Sequence, residues 1–313
     1  MKPNNRELKG RDILSLLDLE KADLERIFAL SDKLEQIVTN RTKLDVLHDK
    51  IMASLFFQPS TRTRLSFESA MNRLGGSVIG FADAKVSRAG DAYAESIEDT
   101  ARMINYYADV VAIRHFESGA AQKFADYAEV PVINAGDGSN EHPTQALLDL
   151  YTIKKERGKI GNMKVLLIGD MNQRTVHSLL YGLAKYDDVS AYLLHPDDLS
   201  LPTQVEMNLK DFHIALETVN QAEQIIRDVD VVYVIFSKKS ASEPPTDERY
   251  KITLRKLSNV QDSLLLMHPL PRMDELPIDV DKTRYGRYFL QPYYGVVVRM
   301  AILLLLFGRE SQA

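Results

Sequence analysis

Short apolar runs of strand length alternate with helical periodicity along most of this chain, and no other feature restricts its fold as much. Ile51-Met52-Ala53-Ser54-Leu55-Phe56-Phe57 is one such run, followed by the polar stretch Gln58-Pro59-Ser60-Thr61-Arg62-Thr63-Arg64. Phe67, Ala70, Met71 and Leu74 then recur at i, i+3, i+4 and i+7, one face of a helix, and Gly75-Gly76 stops it. The pattern predicts helices over 22–38, 95–107 and 119–128, and strands over 77–81, 109–113 and 131–133. A second series starts at Lys164–Asp170 and continues through a helix carrying Val176, Leu179, Leu180 and Leu183. Strands are expected at 189–194, 212–216, 231–236 and 263–267, with a final helix over about 293–308. Ala82–Ala94 is polar and aperiodic, and reads as a mobile loop. The expected class is therefore α/β, with two doubly wound parallel-sheet domains and the C-terminal helix packing back on the first. The first domain would comprise 1–143 plus 293–313 and the second 144–292.

Composition narrows the function classes. The 313 residues carry a net charge of −5, which gives no general attraction to nucleic acid or an anionic membrane, so anion binding must come from local clusters. Without cysteine, disulfides and thiolate metal sites are excluded. His48, His115, His177, His195 and His213 show no ligand spacing, so no metal is expected. Met1–Arg6 lacks the apolar core of a signal peptide. Val296–Phe307 is interrupted by Arg299 and shorter than the roughly 20 residues a bilayer requires. A buried terminal helix and a cytoplasmic location are the expectation.

In parallel α/β sheets ligands bind beyond the carboxyl ends of the strands. The polar clusters follow that rule: Ser60–Arg64, Arg114, the loop before His142, Asp170–Arg174 and His268–Arg272 each succeed an expected strand. At Ser60–Arg64 the unpaired N–H groups and positive dipole end of a helix meet three hydroxyls and two guanidiniums, a suitable setting for an anion. The plainer alternative is an N-cap serine with solvent-facing arginines. There is no Gly-rich nucleotide loop here.

Taken together, Ser60-Thr61-Arg62-Thr63-Arg64, Arg114-His115, Asn134–Asn140 running into His142-Pro143-Thr144-Gln145, Arg174–Leu179 and His268-Pro269-Leu270-Pro271-Arg272 resemble the aspartate carbamoyltransferase catalytic chains. His-Pro-Leu-Pro, rather than the His-Cys-Leu-Pro of ornithine carbamoyltransferases, points to the aspartate branch. The resemblance implies transfer of a carbamoyl group from carbamoyl phosphate to the amine of L-aspartate, in pyrimidine biosynthesis, without metal or organic cofactor. By that resemblance Ser60, Thr61, Arg62 and Thr63 would hold the phosphate. Thr63, Arg114 and His142 would donate to the carbonyl oxygen. Gln145 and the segment Pro269-Leu270-Pro271, through the carbonyls of Pro269 and Leu270, would receive the carbamoyl NH2. Arg174 would hold a carboxylate of the acceptor, with Arg272 and Arg299 in support. The family also implies a homotrimer with shared active sites, and a regulatory or other pathway subunit as a further partner.

Departures fall on the acceptor side. The family has a loop ending in Lys-Gly-Glu, where this chain has Tyr93-Ala94-Glu95. Lys85, Ser87 and Arg88 are candidate replacements for that loop's contacts. The family's Arg-x-Gln, which contacts the acceptor carboxylate, is replaced by Phe236-Ser237-Lys238. Losing one partner of a desolvated charge pair costs about 2–5 kcal/mol, on the order of 30- to several-thousand-fold in affinity. Lys238 would recover part of this if its ammonium reaches the same carboxylate. A carbamoyltransferase for another amine, or a non-catalytic relative that keeps the carbamoyl phosphate site, are the alternatives.

Overall fold

A computed structural model describes residues 7–86, 95–235 and 245–313. The chain divides into two compact units, Met1–Leu148 with Pro292–Ala313, and Asp149–Gln291.

The first unit is built on β1 (Ile51–Phe56), β2 (Ser77–Phe81), β3 (Val110–His115) and β4 (Val132–Asp137), all parallel, in the order β2-β1-β3-β4. Met52 pairs with Val110 and Val111 with Val132, and every residue of β1 after Ile51 is buried. That burial accounts for the unbroken apolar run: a parallel strand covered on both faces has no solvent side to alternate with. Helices α1 (Lys21–Thr39), α2 (Thr61–Arg73), α3 (Ile97–Ile104) and α4 (Ala120–Ala125) belong to this unit. α2 buries Phe67, Ala70 and Met71, the stripe its periodicity predicted. Because β1 has β2 on one side and β3 on the other, the chain leaves these neighbouring strands in opposite directions. The crevice this opens beyond their carboxyl ends is where such sheets take ligands. Ser60–Thr63 follow β1, and Arg114 lies at the end of β3.

The division between units falls within α5 (Pro143–Arg157). The second unit has β5 (Met163–Ile168), β6 (Val189–Leu194), β7 (Ile214–Thr218), β8 (Val231–Val234) and β9 (Leu265–Met267), parallel in the order β7-β6-β5-β8-β9. Its helices are α6 (Arg174–Leu183) and α7 (Thr203–Leu209), and its core includes Leu166, Ile168, Val232, Val234, Leu257 and Leu266. The reversal of strand order here lies between β5 and β8.

The last helix, α8 (Leu290–Phe307), is long and apolar enough to cross a bilayer, and 72% of it is buried. It packs on the first unit: Arg299 stacks 4.9 Å from the ring centroid of Phe67, and Leu306 O accepts from Gly10 N at 3.0 Å. Val297, Val298 and Met300–Leu306 are all buried inside the protein, which accounts for the apolarity of the helix. In the 82–94 stretch, Ala84–Val86 form a short 3-10 turn, and residues 87–94 lie outside those described.

Candidate active site

In the first unit, the turn from β1 into α2 places Ser60 at the N-cap with extended backbone (φ −158°, ψ 115°), yet its side chain makes no capping hydrogen bond. The plain capping role is thus not what Ser60 performs. Thr61 and Arg62 are exposed in the first turn, and Thr63 is buried at 6% exposure. Arg62 is open as a residue, yet its guanidinium is desolvated enough to have a lowered pKa; arginine nonetheless stays charged at neutral pH. Arg64 behaves differently from its neighbours. Its Nε lies 3.2 Å from Glu68 Oε1 one helical turn on.

Thr63 Oγ1 lies 3.3 Å from His142 Nε2, although 79 residues separate them in sequence. His142, 3% exposed, caps α5: its carbonyl accepts from Gln145 N at 3.0 Å and Ala146 N at 3.2 Å. Gln145, half-buried, follows in the first turn. The loop ahead of His142 is pinned by two buried carboxylates. Asp137 accepts from Asn134 Nδ2 and Gly119 N, each at 2.8 Å, and Glu141 accepts from Leu16 N at 3.0 Å and from Ser15 Oγ. Arg114 is half-buried, and its Nη1 donates to Ala135 O at 3.3 Å. Arg299 secures both helices from behind, donating to Thr144 Oγ1 at 3.3 Å while stacking on Phe67.

In the second unit, Arg174 opens α6, half-buried, after a tight loop in which Asp170 accepts from Asn172 N at 2.9 Å and Gln173 Nε2 at 2.8 Å. Pro269 and Leu270 are half-buried and Pro271 exposed in the loop after β9. Arg272 is paired with Asp281, whose Oδ2 accepts from Nη2 at 2.7 Å, and lies over the ring of Tyr288. Lys85 is exposed in its 3-10 turn; Ser87, Arg88, Tyr93, Phe236 and Lys238 lie outside the described residues. Among the described residues no cluster of His, Asp or Glu could hold a metal ion. Sequence reading missed Asp137, Glu141 and Glu275, each of which accepts from a backbone N–H as well as from a side chain; Glu141 directly before His142 was a local signal.

The chain is thus a two-unit parallel α/β protein with hydroxyls and a guanidinium in the first turn of α2, beside a hydrogen-bonded Thr–His pair. The carbamoyl-P binding domain of aspartate/ornithine carbamoyltransferases matches residues 11–155, and the Asp/Orn binding domain of the same family matches residues 161–306. An aspartate carbamoyltransferase catalytic subunit of Thermococcus kodakarensis is 46% identical over 308 residues, covering 96% of this chain and 98% of its own. One from Methanococcus vannielii is 45% identical over 300 residues, covering 95% and 98%. Among solved structures, the catalytic subunit of M. jannaschii aspartate transcarbamoylase superposes with TM-score 0.86 at 41% identity, over 97% of this chain and 100% of that one. Aspartate transcarbamoylase of Trypanosoma cruzi in complex with carbamoyl aspartate and phosphate gives 0.86 at 34%, over 95% of each. This chain belongs to the aspartate/ornithine carbamoyltransferase family, on its aspartate carbamoyltransferase catalytic-chain branch.

Proposed function

We propose that this protein transfers the carbamoyl group of carbamoyl phosphate to the amine of L-aspartate, giving N-carbamoyl-L-aspartate and phosphate. The observation that carries the reading is the buried Thr63–His142 pair, with Thr63 in the same helix turn as the half-buried Ser60 and the exposed Thr61 and Arg62. The T. cruzi relative was captured with carbamoyl aspartate and phosphate, the two products of this reaction.

The first unit binds carbamoyl phosphate. Ser60, Thr61, Arg62 and Thr63 take the phosphate oxygens with the N–H groups and dipole of α2, a charge-assisted arrangement. The unprotonated amine attacks the carbonyl carbon, and negative charge grows on the carbonyl oxygen. Thr63, Arg114 and His142 donate to that oxygen, and such preorganised donors supply several kcal/mol in the transition state. Gln145 and the carbonyls of Pro269 and Leu270 receive the carbamoyl NH2, and the departing phosphate accepts the amine proton. The second unit binds the amino acid, with Arg174 on a carboxylate. Holding both reactants in line supplies much of the remaining acceleration. The protein works in the cytoplasm as a homotrimer with shared sites.

The resemblance read from the sequence favours a second reading, transfer to an amine other than aspartate, because by it Phe236-Ser237-Lys238 and Tyr93 replace the family's Arg-x-Gln and loop lysine. Purified protein incubated with carbamoyl phosphate and a panel of amines, with phosphate and carbamoylated product followed together, separates the readings. Carbamoyl-aspartate supports the first and product with another amine alone the second. No turnover, with carbamoyl phosphate binding retained in calorimetry, defeats both and leaves a non-catalytic binder.

A further inference from the structure

We propose that Glu275 is a positioning residue for the transfer step, acting through His268 to aim the Pro269–Leu270 peptide; this rests on the carbamoyl-transfer reading above. Leu270 N donates to His268 Nδ1 at 2.8 Å, so Nδ1 is the unprotonated nitrogen of the ring. Nε2 then carries the proton and donates to Glu275 Oε1 at 3.1 Å, the same oxygen that accepts from Met273 N at 2.7 Å. Glu275 is 1% exposed. Burial opposes its ionisation, but the donors from His268 and Met273 outweigh that and hold its carboxyl below the ordinary range. A buried carboxylate opposite the imidazole therefore selects one tautomer, and that tautomer fixes the Leu270 N–H.

The Pro269–Leu270 peptide is trans, because the one cis bond in this loop is Leu270–Pro271. In a planar trans peptide the N–H and C=O point in opposite directions. With Leu270 N–H turned in to the imidazole, the Pro269 carbonyl is turned outward, where it can accept from the carbamoyl NH2. The anchor continues inward. His268 N donates to Gln291 Oε1 at 2.9 Å, Gln291 Nε2 to Asp149 Oδ1 at 2.6 Å, and Tyr233 OH to Asp149 Oδ2 at 2.7 Å, all buried. An apolar residue would fill the place of Glu275 without desolvating a charge. What it could not do is hold the imidazole in the accepting tautomer.

The test compares wild type, Glu275→Leu and the double variant Glu275→Leu/His268→Asn in the carbamoyl-aspartate assay, with inorganic phosphate affinity measured by calorimetry and folding by thermal melting. An Asn side-chain oxygen accepts from the N–H two residues on in an Asx turn, with no tautomer to select. Glu275→Leu is expected to lose about 100-fold in kcat while phosphate affinity stays within about threefold, and the double variant to regain at least about tenfold. If Glu275→Leu does not melt cooperatively, the double variant alone decides: kcat within about tenfold of wild type supports the proposal, and about 100-fold loss overturns it. It is also overturned if Glu275→Leu keeps kcat within about threefold, if kcat and phosphate affinity fall together, or if the double variant recovers nothing. Wild type inactive on every amine of the panel refutes the carbamoyl-transfer reading and this proposal with it, whereas a wild type active on any of them with indifferent variants refutes only this one.

Discussion

Gly169→Ala is expected to damage the second unit severely, for reasons the β5 terminus makes quantitative. Gly169 has φ +123°, and a Cβ built on it falls 2.1 Å from Ile235 O, more than 1 Å inside ordinary contact. Neither side has room to retreat: Gly169 N donates to Leu194 O at 2.9 Å, and Ile235 N to Ile168 O at 2.7 Å, so the glycine is locked between the ends of β6 and β8. The backbone conformation alone costs a non-glycine residue about 1–3 kcal/mol. Forcing strands apart by an ångström adds about 1–3 kcal/mol of overpacking. At about 4 kcal/mol in all, and roughly 2–4 °C per kcal/mol for a unit of this size, melting should fall by roughly 8–16 °C. Gly158→Ala is the control within the same unit. Gly158 has φ +83° with nothing within 4 Å of its Cβ position, so only the backbone term applies, about 1–2 kcal/mol. Parallel thermal and urea unfolding of the two variants isolates the steric part. A Gly169→Ala stability indistinguishable from that of Gly158→Ala would refute the reasoning. Because Asp170 and Arg174 follow directly, the variant that still folds at low temperature should also show a raised KM for the amino acid.

Arg62→Ala should weaken carbamoyl phosphate by about 2–5 kcal/mol, on the order of 30- to several-thousand-fold, by calorimetry; unchanged affinity would displace the donor from the α2 turn. In acid, Glu275 and Asp281, held below their reference values of 4.5 and 3.8 chiefly by partners His268 and Arg272 against the opposing effect of burial, contribute stability that is complete above those values. That stability is lost as pH falls through the lower folded pKa, so unfolding midpoints should be level near neutrality and drop below about pH 4.5, less steeply in Asp281→Asn. Phe236→Arg should lower the KM for aspartate if the missing family arginine explains the departure, and kinetics with an unaltered KM would show that another residue has taken the role.

Much of this could be read from local sequence, and the failures have identifiable causes. Ser77–Phe81 and Val189–Leu194 match the expected strands residue for residue, since glycines or turn residues bound them. The expected strand at 131–133 stops short of the observed Val132–Asp137 because Asn134 and Asp137 look like loop residues. They are buried instead and satisfy each other through the Asn134 Nδ2 to Asp137 Oδ1 bond. α7 went unpredicted, as it buries only Val205 and Leu209 and so carries no periodic stripe. α3 starts later than the 95–107 expected, because Ser96 caps it by accepting from Asp99 N, and it ends at Ile104. In the candidate site, the Arg64–Glu68 pair was visible in principle, since Glu68 lies at i+4, whereas the Arg299–Thr144 bond spans 155 residues and has no local trace.

The two sheets share one logic that explains why the donor side is legible and the acceptor side is not. In the first, strand order reverses at β1 and β3, and both strands run directly into hydroxyl and guanidinium residues whose chemistry is plain from their types. In the second, the reversal lies between β5 and β8. Asp170–Arg174 follow β5, while Phe236 and Lys238 are among the first residues after β8 in sequence. In sequence, then, Phe236-Ser237-Lys238 come just after the strand next to which the order of the second sheet reverses. Under the proposed function, a change there is expected to alter which amine is accepted and to leave the Ser60–Thr63 turn as it is. The donor chemistry and the choice of acceptor should accordingly separate in kinetics: substitutions at Phe236 or Lys238 should move acceptor KM and leave phosphate affinity as it is, and Arg62 substitutions should weaken phosphate whichever amine is offered.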